Sequence, residues 1–170
     1  MEYWDIYDDD RNKTGKIIAR NNRDDLGENE NHIAMHVALF NSKGEMLLQR
    51  RSLMKKDDPG KWDFSSRGSI LKGETSQEGA HREMLEELGI DYNFNNIKPS
   101  FTKKYPNVFD DFYIIEKDID IDDITIQKEE LDAVMWADED KVIELINNNE
   151  FAINNIDFMK NIFSLYKENK

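Results

Sequence analysis

Between residues 68 and 90 the chain reads GSILKGETSQEGAHREMLEELGI, and three of its acids, Glu83, Glu86 and Glu87, recur at i, i+3 and i+4. In a helix that spacing puts all three on one side. With Ala80 at zero and about 100° per residue, Glu86, Glu83 and Glu87 fall at about 240°, 300° and 340°. Ala80, Met84, Leu88 and Leu85 fall at about 0°, 40°, 80° and 140° by the same rule, so the acids are set apart from the apolar stripe. Like charges so spaced repel by roughly a few tenths of a kcal/mol per pair, and a helix selected for stability alone would carry Lys or Arg among them. Oxygen-only ligands suit Mg²⁺, Mn²⁺ or Ca²⁺ rather than zinc. An acid-rich solvated face would present the same three positions. Gly79, at about 260° on the acid side, costs roughly 1 kcal/mol relative to Ala, and the expected return is room for a substrate beside the metals.

The elements around this run must hold it. Thr75 with Glu78 three residues on is a capping box, so a helix is predicted to start near Thr75 or Ser76, and Gly89 supplies its left-handed stop. Tyr3 to Tyr7 and Lys16 to Ala19 flank a polar turn and read as an N-terminal hairpin within about residues 1–20. Asn21 to Asn31 reads as a loop. Strands are predicted over His32 to Phe40, Glu45 to Arg51, Trp62 to Ser66, Phe101 to Tyr105, Phe112 to Glu116 and Ala133 to Ala137. Asp118 to Asp123 reads as an acidic linker. Asp138 can cap a helix over Lys141 to Asn147, and a last helix over Ile156 to Tyr166 carries Ile156, Met159, Ile162, Phe163 and Tyr166 on one stripe. One mixed α/β domain spanning 1–170 follows, with strands dominating.

The bulk composition narrows the function. The chain has 170 residues and a net charge of −13, from 36 acids and 23 bases. No basic stripe is available to neutralise a phosphate polymer, so a nucleic-acid partner is not expected. A small anionic substrate stays compatible, because a bound divalent cation reverses the local sign. There is no cysteine, which excludes disulfides, thiol chemistry and thiolate zinc sites. The start is not that of a signal peptide, and no apolar stretch approaches a membrane span. A cytoplasmic protein with no membrane partner is expected.

The run also resembles the Nudix box of the Nudix hydrolase family: glycine, five residues, glutamate, seven residues, then Arg-Glu-aliphatic-any-Glu-Glu-any-Gly-aliphatic. Gly68, Glu74, Arg82, Glu83, Met84, Glu86, Glu87, Gly89 and Ile90 fill every defined position. The resemblance implies a Nudix fold, a mixed β-sheet sandwiched between helices, and hydrolysis of a nucleoside diphosphate linked to another moiety with Mg²⁺ or Mn²⁺ as cofactor. It implies that Glu83, Glu86 and Glu87 bind metal and act in catalysis, joined by a backbone carbonyl at Arg67 or Gly68. Glu74 and Arg82 would form a structural salt bridge, and Gly68 and Gly73 would supply close turns. Glu130 is the best match for a further acid before a late strand, Glu129 is its rival, and Asp110 and Asp111 are weaker matches.

A looser similarity to the isopentenyl-diphosphate-isomerase-like branch extends over His32-Ile33-Ala34, Gln49-Arg50-Arg51 and Gly60-Lys61-Trp62-Asp63. Isomerases place a cysteine before the first box glycine and a metal-binding histidine after it; here Arg67 and Ser69 occupy those positions. Hydrolysis is therefore favoured over isomerisation, and a non-catalytic nucleotide-binding module is the other alternative. Arg51 and Arg67 are candidate phosphate contacts, since guanidinium binds phosphate bidentately. Phe109 is a candidate substrate contact, and Trp62, Phe64, Phe112 and Tyr113 could stack a base, although core packing is the commoner fate of strand aromatics. Tyr3 or Trp4 could do so from a partner subunit, and the hairpin could serve a homodimer. His32 and His36 share a strand face and His81 falls on the apolar stripe; satisfied structural positions are the expected reading for all three.

Overall fold

The computed structural model describes residues 1–170. Strands run β1 (Tyr3–Tyr7), β2 (Lys13–Ala19), β3 (His32–Phe40), β4 (Met46–Arg51), β5 (Trp62–Asp63), β6 (Ser66–Ser69), β7 (Phe101–Tyr105), β8 (Val108–Glu116) and β9 (Leu131–Ala137). The helices are α1 (Ser76–Leu88), α2 (Glu139–Asn147) and α3 (Ile156–Glu168). The predicted loop and the acidic linker each contain a short 3₁₀ turn, Arg20–Asp25 and Ile121–Asp123.

Alternation along β3 builds the sandwich. Ile33, Met35, Val37 and Leu39 join Ala80, Met84 and Leu88 of α1 in one core cluster. Ala38 and Phe40 join Val142 and Leu145 of α2 and Met159, Ile162 and Phe163 of α3 in a second cluster on the opposite face. The mixed α+β sandwich implied by the resemblance is therefore the fold observed.

The sheet is split where the site must be built. β3 and β4 pair at a single position, Phe40 with Met46, and then diverge. β5 lies against β4 and β6 lies against β3, so the segment predicted as one strand over Trp62 to Ser66 crosses from one side of the split to the other. Ser65 bridges the gap: its Oγ accepts the Leu39 N–H at 2.8 Å and donates to the Leu47 carbonyl at 2.6 Å. β9 completes the β4 side, and β8, parallel to β3, and β7 complete the other. β1 and β2 form a separate hairpin sheet. Its Trp4, Ile6 and Ile18 make a third small core with Leu26 and Leu71.

Candidate active site

Helix α1 starts as its sequence dictates. The Thr75 Oγ1 accepts the Glu78 N–H at 3.2 Å, and the Glu78 carboxylate accepts the Thr75 N–H at 2.7 Å. Gly89 ends it with φ 67°. The helix is rotated from the simple wheel. Leu85, placed on the core stripe by sequence, is 46% exposed, while Glu87 is only 6% exposed. The acid side thus turns partly toward β6, and the three acids grade from Glu86, mostly exposed, through Glu83 to buried Glu87.

Glu87 has a partner in β6, and Glu83 and Glu86 share one within α1. Ser66 Oγ donates to Glu87 Oε2 at 2.8 Å. Burial, then the charge of Glu83, push the Glu87 carboxyl up to about 8 against the opposing Ser66 bond. Burial also raises Glu83, with Arg82 pulling the other way. Arg82 donates from Nε to Glu74 Oε1 at 2.7 Å and from Nη2 to Glu74 Oε2 at 3.0 Å, a bidentate pair. Its Nη1 reaches Glu83 at 2.8 Å and Glu86 at 3.3 Å. Burial alone would weaken the guanidinium's hold on its proton; Glu74 and Glu83 reverse that.

Gly68 has a different reason from the turn predicted for it. It sits in β6, and a Cβ there would lie 2.2 Å from Glu83 Oε1, so the glycine leaves the space that the carboxylate fills. Gly79 does not make room for a substrate: it is buried, and a Cβ there would meet Ile70 Cδ1 at 2.4 Å. Its helix cost is offset by close approach of α1 to Ile70 in the loop after β6.

Glu130 joins this group from the loop before β9, and its charge raises Glu87. It is ion-paired with Lys55, which sequence reasoning did not single out. Its rival Glu129 is exposed, while Asp110 is bound to His36 Nδ1 at 2.8 Å and Asp111 is held bidentately by Arg11. Arg51 is buried on β4; its Nε donates to the Asp57 carbonyl at 2.9 Å, and burial followed by the nearby charge of Arg67 lowers its pKa. Arg67 lies 2.7 Å from Asp63. Gln49, fully buried and paired in register with Asp63, has an amide with no protein partner.

Phe109 does not reach this site as a free surface. It is buried in the α1-side core with Arg11 and Lys104 cations over its ring. Phe64, Phe112 and Tyr113 are likewise core residues. Trp4 is buried within its own chain, stacked on His32 at 4.0 Å, which rules it out as an exposed offering to a partner subunit. Burial pushes His32 down to about 4, so it is neutral at physiological pH. His81 is half-exposed and bonds Asp91 at 2.9 Å.

As they stand, no three acidic side chains are grouped in cation-binding geometry, and Arg82, Ser66 and Lys55 are their partners. The donor chemistry nevertheless fits a hard cation. The set is oxygen-only, and burial raises the proton affinity of buried Glu87 and half-buried Glu83, a cost that a divalent charge would relieve.

A sequence model of the NUDIX domain matches residues 30–161. The chain belongs to the Nudix family. It is 39% identical to an uncharacterized Nudix hydrolase of Listeria monocytogenes over 151 residues, 89% of this chain and 88% of that protein. It is also 29% identical to an isopentenyl-diphosphate Delta-isomerase of Corynebacterium diphtheriae over 71% of each chain. Among solved structures, a Deinococcus radiodurans protein superposes with a TM-score of 0.75 over 97% of this chain and 99% of that one, at 21% identity. A MutT protein of Methanosarcina mazei superposes at 0.60, covering 82% and 95% at 23% identity. These two likenesses bear on the Nudix fold. Nudix hydrolases as a family act on nucleoside diphosphates linked to other groups and generally use divalent metals. No helix of this Nudix chain is long and apolar enough to cross a membrane.

Proposed function

We propose that this chain hydrolyses the diphosphate bond of a nucleoside diphosphate linked to a second moiety, using Mg²⁺ or Mn²⁺ held by Glu83, Glu86, Glu87 and Glu130 with the Gly68 carbonyl. The observation that carries the reading is the Glu83–Glu87 pair, one half-buried and one buried, on the side of α1 facing β6 beside a glycine with no side chain to obstruct it. A divalent cation bound there supplies charge neutralisation of the diphosphate and acidifies water. Arg51 and Arg67, which both face Asp63 Oδ2 at 3.9 and 2.7 Å, would orient the phosphates through their guanidinium groups. One of the box glutamates, ionised beside the cation, would accept the proton of the attacking water. Water adds to one phosphorus, the bond to the bridging oxygen breaks, and the other phosphate leaves with that oxygen.

Arg67 stands where isomerases place a cysteine, and no thiol exists to serve as an isomerase acid–base group, which favours hydrolysis over isomerisation. A homodimer formed through the hairpin would have to use its outer side, where Tyr3 and Ile17 are exposed, because the inner side is packed within the chain.

The test is phosphate release across nucleoside triphosphates, sugar nucleotides, dinucleotides and coenzyme A, with Mg²⁺ or Mn²⁺. Isopentenyl diphosphate is included and assayed for its allylic isomer. Metal-dependent cleavage of at least one diphosphate is expected. Isomerisation without cleavage, or tight nucleotide binding without turnover, would overturn the proposal.

A further inference from the structure

Residues 1–29 lie outside the span that the family model matches, yet the hairpin they form touches the loop that leads into α1. The Lys72 N–H donates to the Tyr3 carbonyl at 2.7 Å. The Gly73 N–H donates to Asp5 Oδ2 at 2.9 Å, and the same oxygen takes Lys13 Nζ at 2.6 Å. Gly73 has φ +86°, a backbone setting that a side chain would strain, and because glycine is otherwise free to leave it, the bond to Asp5 is what fixes this peptide. The next residue, Glu74, grips Arg82 with both oxygens and caps the Leu71 N–H at 2.9 Å. Arg82 in turn touches Glu83 and Glu86. An unbroken series of bonds therefore runs from Asp5 through the Gly73–Glu74 backbone to the box acids.

The far end of that series is well anchored. Trp4, Ile6 and Ile18 are buried, Leu71 of the box loop packs on them, and Arg11 at the hairpin turn holds Asp111 of β8 bidentately. Asp5 is ionised at neutral pH: burial opposes this, but Lys13 and the Gly73 N–H prevail and hold it below the usual carboxylate range. A charged acceptor makes the stronger bond to a backbone N–H.

We infer that Asp5 is a positioning residue for the box: by fixing the Gly73 peptide it sets the Glu74–Arg82 clamp, and through it the orientation of Glu83 and Glu86. The inference rests on the hydrolytic reading above. The competing account is that Asp5 and Lys13 only brace the hairpin.

Three variants separate the two. Asp5→Ala removes the acceptor, Asp5→Asn keeps an oxygen for the Gly73 N–H without the charge, and Lys13→Met removes the ion pair alone. Each is compared with wild type for kcat, KM, the Mn²⁺ concentration giving half-maximal rate, and melting temperature. Misplacement of catalytic groups by a fraction of an ångström predicts a loss of roughly tenfold or more in kcat for Asp5→Ala, and a higher Mn²⁺ requirement with little change in KM. Asp5→Asn recovers most of the loss, and Lys13→Met stays near wild type. Wild-type kcat in Asp5→Ala overturns the inference, as does equal impairment in all three variants. Exchange of the Gly73 amide in the native wild-type protein gives a reading independent of turnover and of whether Asp5→Ala folds. Protection supports the inference, and exchange at the rate of an open loop overturns it. A wild-type protein that cleaves no diphosphate would defeat the hydrolytic reading alone, leaving amide exchange and Mn²⁺ binding in the variants to decide the role of Asp5.

Discussion

At the scale of single residues, the account turns on space and on charge held out of water. Gly68 is required because Glu83 fills the volume of its missing side chain. Gly68→Ala should therefore displace a flexible carboxylate, leaving melting within a few degrees of wild type while lowering turnover by roughly tenfold. Wild-type turnover in that variant would show that the seat has no role. Glu87 retains its proton up to about pH 8 in the fold, against the ordinary 4.5. Between those values the folded protein holds a proton that the unfolded chain has released. This contribution to stability therefore falls as pH rises through that window and levels off above it. A cation needs the ionised form, so calorimetric titration with Mn²⁺ should show affinity rising by up to about tenfold per pH unit below 8 and flattening beyond it. A pH-independent affinity would place the cation away from Glu87.

At the scale of elements, the box helix is set by its two ends and the strand beneath it. Its boundaries were legible from Thr75, Glu78 and Gly89, because capping chemistry is local. Its rotation was not, because burial of Glu87 depends on Ser66, which comes from another strand. Alternation offered a signal: Ser66 stands two residues before Gly68, so the two share a strand face. The split between β3 and β4 was likewise invisible in a segment that reads as one short strand. Ser65 holds that split, and Ser65→Ala leaves the Leu39 N–H and Leu47 carbonyl without their partner. The expected cost is about 2 kcal/mol, or a fall in melting temperature of roughly 4–8 °C. A change below one degree would mean that the bridge is dispensable.

At the scale of the molecule, the mixed α/β class was legible from the order of strands and helices, the sandwich came with the resemblance that the box carries, and the apolar stripe of α3 was legible from its own spacing and enters the second core cluster. Long-range polar pairs were not legible. Arg11 with Asp111 and Lys55 with Glu130 join residues far apart in the chain, with no local pattern to mark them. Phe109 shows the limit for aromatics: its position on β8 faces the core, and nothing in its flanking sequence distinguishes that from a binding surface. What unites the molecule is a helix packed by its apolar stripe on a split sheet, with Glu87 turned toward β6 and a hairpin bracing its entry loop. On the proposed function, the acids of that helix carry out metal-dependent hydrolysis. Its most direct test is phosphate release from the preferred diphosphate by wild type, Glu83→Gln and Glu87→Gln, each at saturating Mg²⁺ with folding checked by melting. The account predicts a loss of roughly two orders of magnitude or more in both variants with the fold intact. Near-wild-type turnover in both would contradict it.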